Sequence, residues 1–177
     1  MVTATLELRF PVSEIPHWAH RYSYDGEDDL IRRMGMAKAR GHLTREEFLA
    51  LCKWKTPRSQ PLCRRNKPQH IRDVTSNAFH CRDEKAKMAA LRTLDGVGWP
   101  TASVLLHFCD RGSYPILDYR ALWSLGLDRP PSSYTFDFWW AYTEFSRGLA
   151  RTAKCDMRTL DRALWQFSKE QQGKPSA

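Results

Sequence analysis

The sequence predicts a mainly α-helical fold, on three observations: apolar residues recur at helical spacing along most of the chain, cap residues stand at the starts of those stretches, and proline-rich breaks separate them. The chain has 177 residues, 42% of them apolar, and no repeat or low-complexity tract, so it is long enough to bury a sizeable core. At the N-terminus Leu6, Leu8 and Phe10 alternate with polar residues, which predicts a short strand over 5–10. Helices are expected near 12–20, 27–40, 45–54, 68–80, 84–93, 100–110, 119–126, 136–153 and 157–170. Thr44 with Glu47 reads as a capping box, Pro68 suits a first helical turn, and Asp83, Thr135 and Asp156 stand as caps. Residues 54–68 and 128–134 are proline-rich and are expected as loops, and the chain from Gln171 on as a frayed end.

Composition narrows the function classes. The net charge is +8, but residues 31–67 hold eleven Lys or Arg against only Glu46 and Glu47, so the rest of the chain is close to neutral. A surplus gathered in one segment builds a local potential that attracts phosphates, and the plainer alternative is a solvated basic face with no partner. The N-terminus lacks a basic region followed by an apolar one, and no run approaches the ~18 apolar residues of a membrane span. A soluble, intracellular protein without a membrane partner is therefore expected. The five cysteines, Cys52, Cys63, Cys81, Cys109 and Cys155, are odd in number and contain no C-x-x-C pair, so neither a disulfide framework nor a zinc site is suggested. A mixed set of Cys52, Cys63, His70, His80 and Cys81 fits no zinc spacing, and no metal is expected.

The most informative stretch is Leu94-Asp95-Gly96-Val97-Gly98-Trp99-Pro100-Thr101-Ala102, followed after an apolar helix by Tyr114-Pro115-Ile116-Leu117-Asp118. Gly96 and Gly98 allow a tight turn that exposes backbone N–H groups. Pro100 falls where a helix accepts proline, and the helix through Val104, Leu105, Leu106 and Phe108 directs its N-terminal dipole back at the turn. Such a turn is a seat for a phosphate. Asp118 stands before the expected helix from Tyr119, where an aspartate is commonly a cap.

This stretch resembles the helix-hairpin-helix (HhH-GPD) superfamily of DNA glycosylases, the group of endonuclease III and the mismatch adenine glycosylases. LDGVGWPTA is similar to that family's hairpin, commonly L-P-G-V-G-x-x-T-A, and Asp118 lies 18 residues after Pro100, the family spacing to the catalytic aspartate. Asp95 departs from the commoner proline and sets a negative charge beside the phosphate seat. The resemblance implies a two-lobed helical fold, with a six-helix barrel over 27–111 carrying the hairpin and a second lobe from 1–26 packed with 112–177. It implies a cleft between the lobes with Asp118 at its edge. It also implies double-stranded DNA containing a target base as the partner, no obligate protein partner, and the cytoplasm of a prokaryote as the compartment. Many endonuclease III-type enzymes carry a C-terminal four-cysteine iron–sulfur motif. Only Cys155 stands there, so no cluster and no cofactor are implied, with room left for a monovalent cation at the hairpin.

The activity implied is excision of a damaged or modified base by hydrolysis of its N-glycosidic bond. Asp118 would stabilise the oxocarbenium-like sugar and align or deprotonate a water for attack at C1′, while the base is flipped from the stack. Variants that also nick DNA use a lysine before the hairpin's T-A. Here that position is Pro100, so the chain reads as monofunctional, unless Lys53, Lys55 or Lys154 supplies an amine from elsewhere. Backbone contacts to DNA are expected at Gly96, Val97, Gly98, Trp99 and Thr101, with Lys53, Lys55, Arg58, Arg64 and Arg65 meeting phosphates. Trp54, Tyr114, Tyr119 and Trp139 are candidates for the base pocket. The plainer reading of 51–59 is a helix end with snorkelling lysines and a core Trp54. An alkylated purine, a deaminated or oxidised base, and a hypermodified pyrimidine of phage DNA all stay open as substrates, so repair and antiviral defence both do. A second class of function is a non-catalytic DNA-binding or damage-sensing module that keeps the hairpin alone, and a third is a protein-interaction helical domain without DNA affinity.

Overall fold

A computed structural model describes residues 5–24 and 26–173. Among the described residues there are ten α-helices and no strand: α1 (Ile15–Arg21), α2 (Glu27–Arg40), α3 (Arg45–Lys55), α4 (Gln60–Cys63), α5 (Pro68–His80), α6 (Glu84–Leu91), α7 (Trp99–Cys109), α8 (Tyr119–Ser124), α9 (Phe136–Ala153) and α10 (Met157–Gln171). The chain divides into two compact units, Tyr24–Ser113 and the pair of segments Met1–Ser23 with Tyr114–Ala177. None of the described helices is long and apolar enough to cross a membrane.

In Tyr24–Ser113 the central element is α7. Thr101 to Leu106, Phe108 and Cys109 are all buried, so the helix is enclosed on every side, with α2 and α3 packed against it. Met34, Ala37, Phe48 and Leu51 are fully buried and belong to the same core. The buried pair Lys87 Nζ–Asp110 Oδ2 (2.9 Å) ties α6 to the end of α7, and Asp110 Oδ1 accepts from the Gly112 amide (2.7 Å). Thr44 and Glu47 form the reciprocal capping box at α3. The expected loop over 54–68 is not one: Pro57–Ser59 makes a 3-10 turn and α4 follows. Pro57 and Pro61 stand in the first turns, where a missing N–H costs nothing, so the same prolines that suggest a loop here start helices.

In the other unit α1 and α8 pack on α10. The expected helix over 12–20 is split into a 3-10 turn, Val12–Glu14, and α1. Pro16 has no N–H to reach back to Val12, so the α-type ladder cannot run through. The expected strand over 5–10 does not form. Phe10 is buried, but the Glu7 and Arg9 amides donate to Leu125 and Ser124 carbonyls at the end of α8 (3.0 Å each), and among the described residues there is no strand to pair with. Phe10 packs with Trp18 and Phe167 instead.

Candidate nucleic-acid interface

The turn between α6 and α7 is built from inside. Asp83 caps α6 by accepting from the Ala86 amide (2.8 Å). After α6 the amides of Leu94 and Val97 fold back onto the Leu91 and Leu94 carbonyls, and Leu94 and Val97 bury their side chains. Gly96 has φ +81°, and a Cβ there would come 2.6 Å from Cys63 Sγ and 2.9 Å from its backbone nitrogen. Glycine is therefore demanded by the packing of the turn on α4. Gly98 differs: its φ is −90°, and a Cβ would meet nothing nearer than Pro100 Cδ at 3.9 Å, so its outer side is open.

Buried Asn66 clamps the turn. Its Nδ2 donates to the Cys63 and Asp95 carbonyls (2.9 Å each) and its Oδ1 accepts from the Asp95 amide (2.9 Å). The loop backbone is thus fixed by one side chain 29 residues away. Nothing local to Asn66 in the sequence signals a partner at 95. Helix α7 then starts at Gly98 with no side-chain cap, with Trp99 and Pro100 in its first turn. Among the described residues nothing accepts from the Gly98 amide. The side chains of Val97 and Thr101 are buried, so only their backbone can meet a phosphate. Trp99 carries the Arg92 guanidinium 4.3 Å from its ring centre, a cation held beside the hairpin.

Arg64 and Arg65 are exposed and directly precede Asn66, so the clamp brings this basic pair to the hairpin. Lys53 and Arg58 are exposed too, whereas Lys55 is half-buried. Trp54 is also half-buried. It meets Phe108 edge-on (5.5 Å, 89°) and Tyr24 (5.8 Å, 66°), and lines an open groove of about 540 Å³ with Tyr24, Leu30, Arg33, Lys53 and Pro57. One edge of Trp54 packs in the core and one side faces the groove.

Asp118 belongs to the other unit. Residues Tyr114 to Leu117 before it are buried, and the Tyr142 hydroxyl donates to the Ile116 carbonyl (2.7 Å), which fixes the approach. Asp118 is the N-cap of α8: its Oδ1 accepts from the Arg120 amide at 2.9 Å, and the residue is half-buried. Burial and then the Asp118 charge push the Tyr134 phenol up. For Tyr142, burial comes first, then Asp161, then Asp118. The Asp118 charge is thus felt at both phenols.

Two of the pocket candidates belong to the core. Tyr114 and Trp139 are 2% and 0% exposed, and they stack on one another (6.0 Å, 12°), with Arg147 4.9 Å from the Tyr114 ring. Their faces are occupied, so neither is a wall against which a base can stack. Tyr119 is 50% exposed, with Arg120 5.2 Å from its ring, and remains available beside Asp118. Compared with protein-family models, with curated proteins and with solved structures, the chain matches none.

Proposed function

We propose that this chain is a DNA N-glycosylase of the helix-hairpin-helix class, which flips a damaged or modified base and hydrolyses its N-glycosidic bond to leave an abasic site. The observation that carries the reading is the way Asp118 is held. The cap bond to the Arg120 amide fixes the direction of a half-buried carboxylate, downstream of a hairpin whose backbone is itself immobilised by Asn66. A carboxylate with a fixed direction suits stabilisation of an oxocarbenium-like sugar, because its field needs no reorganisation as charge develops. It also suits alignment of water for attack at C1′.

DNA would be held by the other unit. The open Gly98 amide and the uncapped start of α7 offer donors and a positive dipole end to one backbone phosphate. Arg64, Arg65, Arg58 and Lys53 add cations whose ion release makes the binding salt-dependent. The water oxygen bonds to C1′, the N-glycosidic electron pair leaves with the base, and the base takes up a proton. Pro100 has no amine for attack on C1′, so strand cleavage through a Schiff base is not part of the proposal.

The test is mass-spectrometric detection of free bases released from a panel of damaged, mismatched and phage-modified DNA, with wild type and Asp118→Asn compared. Release that vanishes in the variant while DNA binding persists supports the glycosylase. Intact DNA binding with no release across the panel favours the non-catalytic binder, in which Asp118 is a cap alone.

A further inference from the structure

The C-terminal ends of α2, α5 and α7 border one pocket of about 480 Å³ within Tyr24–Ser113. It lies at the other end of α7 from the hairpin, about 16 Å along an eleven-residue helix. Its lining includes Lys38, Arg40, Arg82 and Arg111 and no carboxylate. Arg40 is engaged by Glu47 and by the His42 carbonyl. The other three make no ion pair among the described residues, since Asp110 is engaged by Lys87 and the Gly112 amide, and Asp83 caps α6. Three unmatched cations from three separate elements therefore share one cavity.

The rest of the lining is ordered and carries no negative charge. Burial pushes the Cys109 thiol far above its usual range, against the pull of Lys38 and Arg40, so it stays protonated. His80 Nδ1 bonds the Ser76 carbonyl (2.7 Å), and the ring lies on Gly41, where a Cβ would come within 2.8 Å of it. Gly41 has φ +82°, and glycine there lets the end of α2 close on the ring. Cations beside helix C-termini offset the carbonyl ends of the dipoles. That role needs no cavity, and a cavity of this size is typical of ligand sites.

We propose that this pocket binds a phosphate group, from a small phosphorylated molecule or from the end of a nucleic-acid strand, with Lys38, Arg82 and Arg111 as its ligands. Arginine forks and a lysine point charge are the chemistry that recognises phosphate oxygens. The site is separate from the hairpin seat and does not depend on the role given to Asp118.

The experiment is a titration of backbone amide NMR shifts with inorganic pyrophosphate, against sodium chloride at matched ionic strength. Saturable shifts at 38–41, 80–82 and 109–112 are expected, with affinity at least tenfold weaker in the Arg82→Gln/Arg111→Gln double variant and unchanged at these positions in Gly98→Ala. If the double variant does not fold, exposed Arg111→Gln alone should weaken binding about threefold. No saturable shift, shifts confined to 96–101, or pocket shifts indifferent to these arginines would overturn the proposal. Parallel titrations with 5′-phosphorylated and unphosphorylated oligothymidine name the source: pocket shifts that require the terminal phosphate assign a strand end, and shifts with pyrophosphate alone assign a free ligand.

Discussion

Helices α7 and α8 begin in opposite ways. At α7 the N-cap is Gly98, with no side chain to accept from the first amides, and the turn before it is held from behind by Asn66. At α8 the N-cap is Asp118, whose own carboxylate satisfies the Arg120 amide. The first start leaves donors for an acceptor outside the chain, and the second uses an acid to answer its own helix. Both are held by hydrogen bonds, and on the proposed function this would serve a different end in each. A seat for an anion needs fixed backbone and an empty front, whereas a reacting carboxylate needs a fixed direction. The starts of α3, α6, α9 and α10 are capped by Thr44, Asp83, Thr135 and Asp156, whereas α2 and α5, like α7, begin without a side-chain cap.

The largest effect should come from Asp118. Asparagine caps about as well as aspartate, so Asp118→Asn should leave the melting temperature nearly unchanged while base release falls by roughly 100-fold or more, the usual worth of a general acid–base group. Asp118→Ala should lose activity to the same extent and also about 1 kcal/mol of stability with the cap. If Asp118→Asn excises bases at the wild-type rate, the carboxylate is a cap like Asp156 and the contrast with α7 loses its functional meaning.

The hairpin side breaks through its supports. Asn66→Ala removes three hydrogen bonds and leaves the Asp95 amide without its acceptor, which should cost about 2–4 kcal/mol in urea unfolding. Gly96→Ala should cost roughly 2–3 kcal/mol, since the backbone is left-handed and the new methyl meets Cys63 backbone as well as its sulfur. Gly98→Ala separates support from function. Its Cβ enters open space, so stability should hold within about 0.5 kcal/mol, while DNA affinity falls about tenfold because the methyl crowds the phosphate seat. Equal DNA affinity in Gly98→Ala and wild type would show that no phosphate sits there.

What the sequence made legible follows the range of the interaction. The helices over 27–40, 68–80 and 136–153 and the Thr44–Glu47 box are written in residues a few positions apart, and the structure has them where expected. Asp118 was legible as a cap for the same reason. The clamp of Asn66 on Asp95 and the contact of Gly96 with Cys63 are not local, so the sequence shows the tight turn but not what holds it. Proline carried the opposite ambiguity at 57–63, because a residue that ends one helix also opens another. Aromatic residues gave the least: Tyr114 and Trp139 have the chemistry of a base pocket, and only their stack in the core distinguishes them from Tyr119.

The smallest effect sharpens the contrast through pH. Asp156 caps α10 by accepting from the Thr159 amide (2.7 Å), and that bond, aided by Arg162, holds its carboxyl below the usual carboxylate range. The bond favours the ionised form, so the stability it supplies is complete above the unfolded value of about 3.9 and is lost as pH falls through the lower folded value. Asp156→Asn keeps a cap that does not titrate. The urea midpoint of the variant should therefore fall less steeply than that of wild type as pH drops below about 4, with little difference at pH 7. Gly98 has no side chain to titrate, so Gly98→Ala should leave the acid limb as it is in wild type. Parallel acid limbs in wild type and Asp156→Asn would mean that this cap, although formed, is not coupled to the folding of its unit.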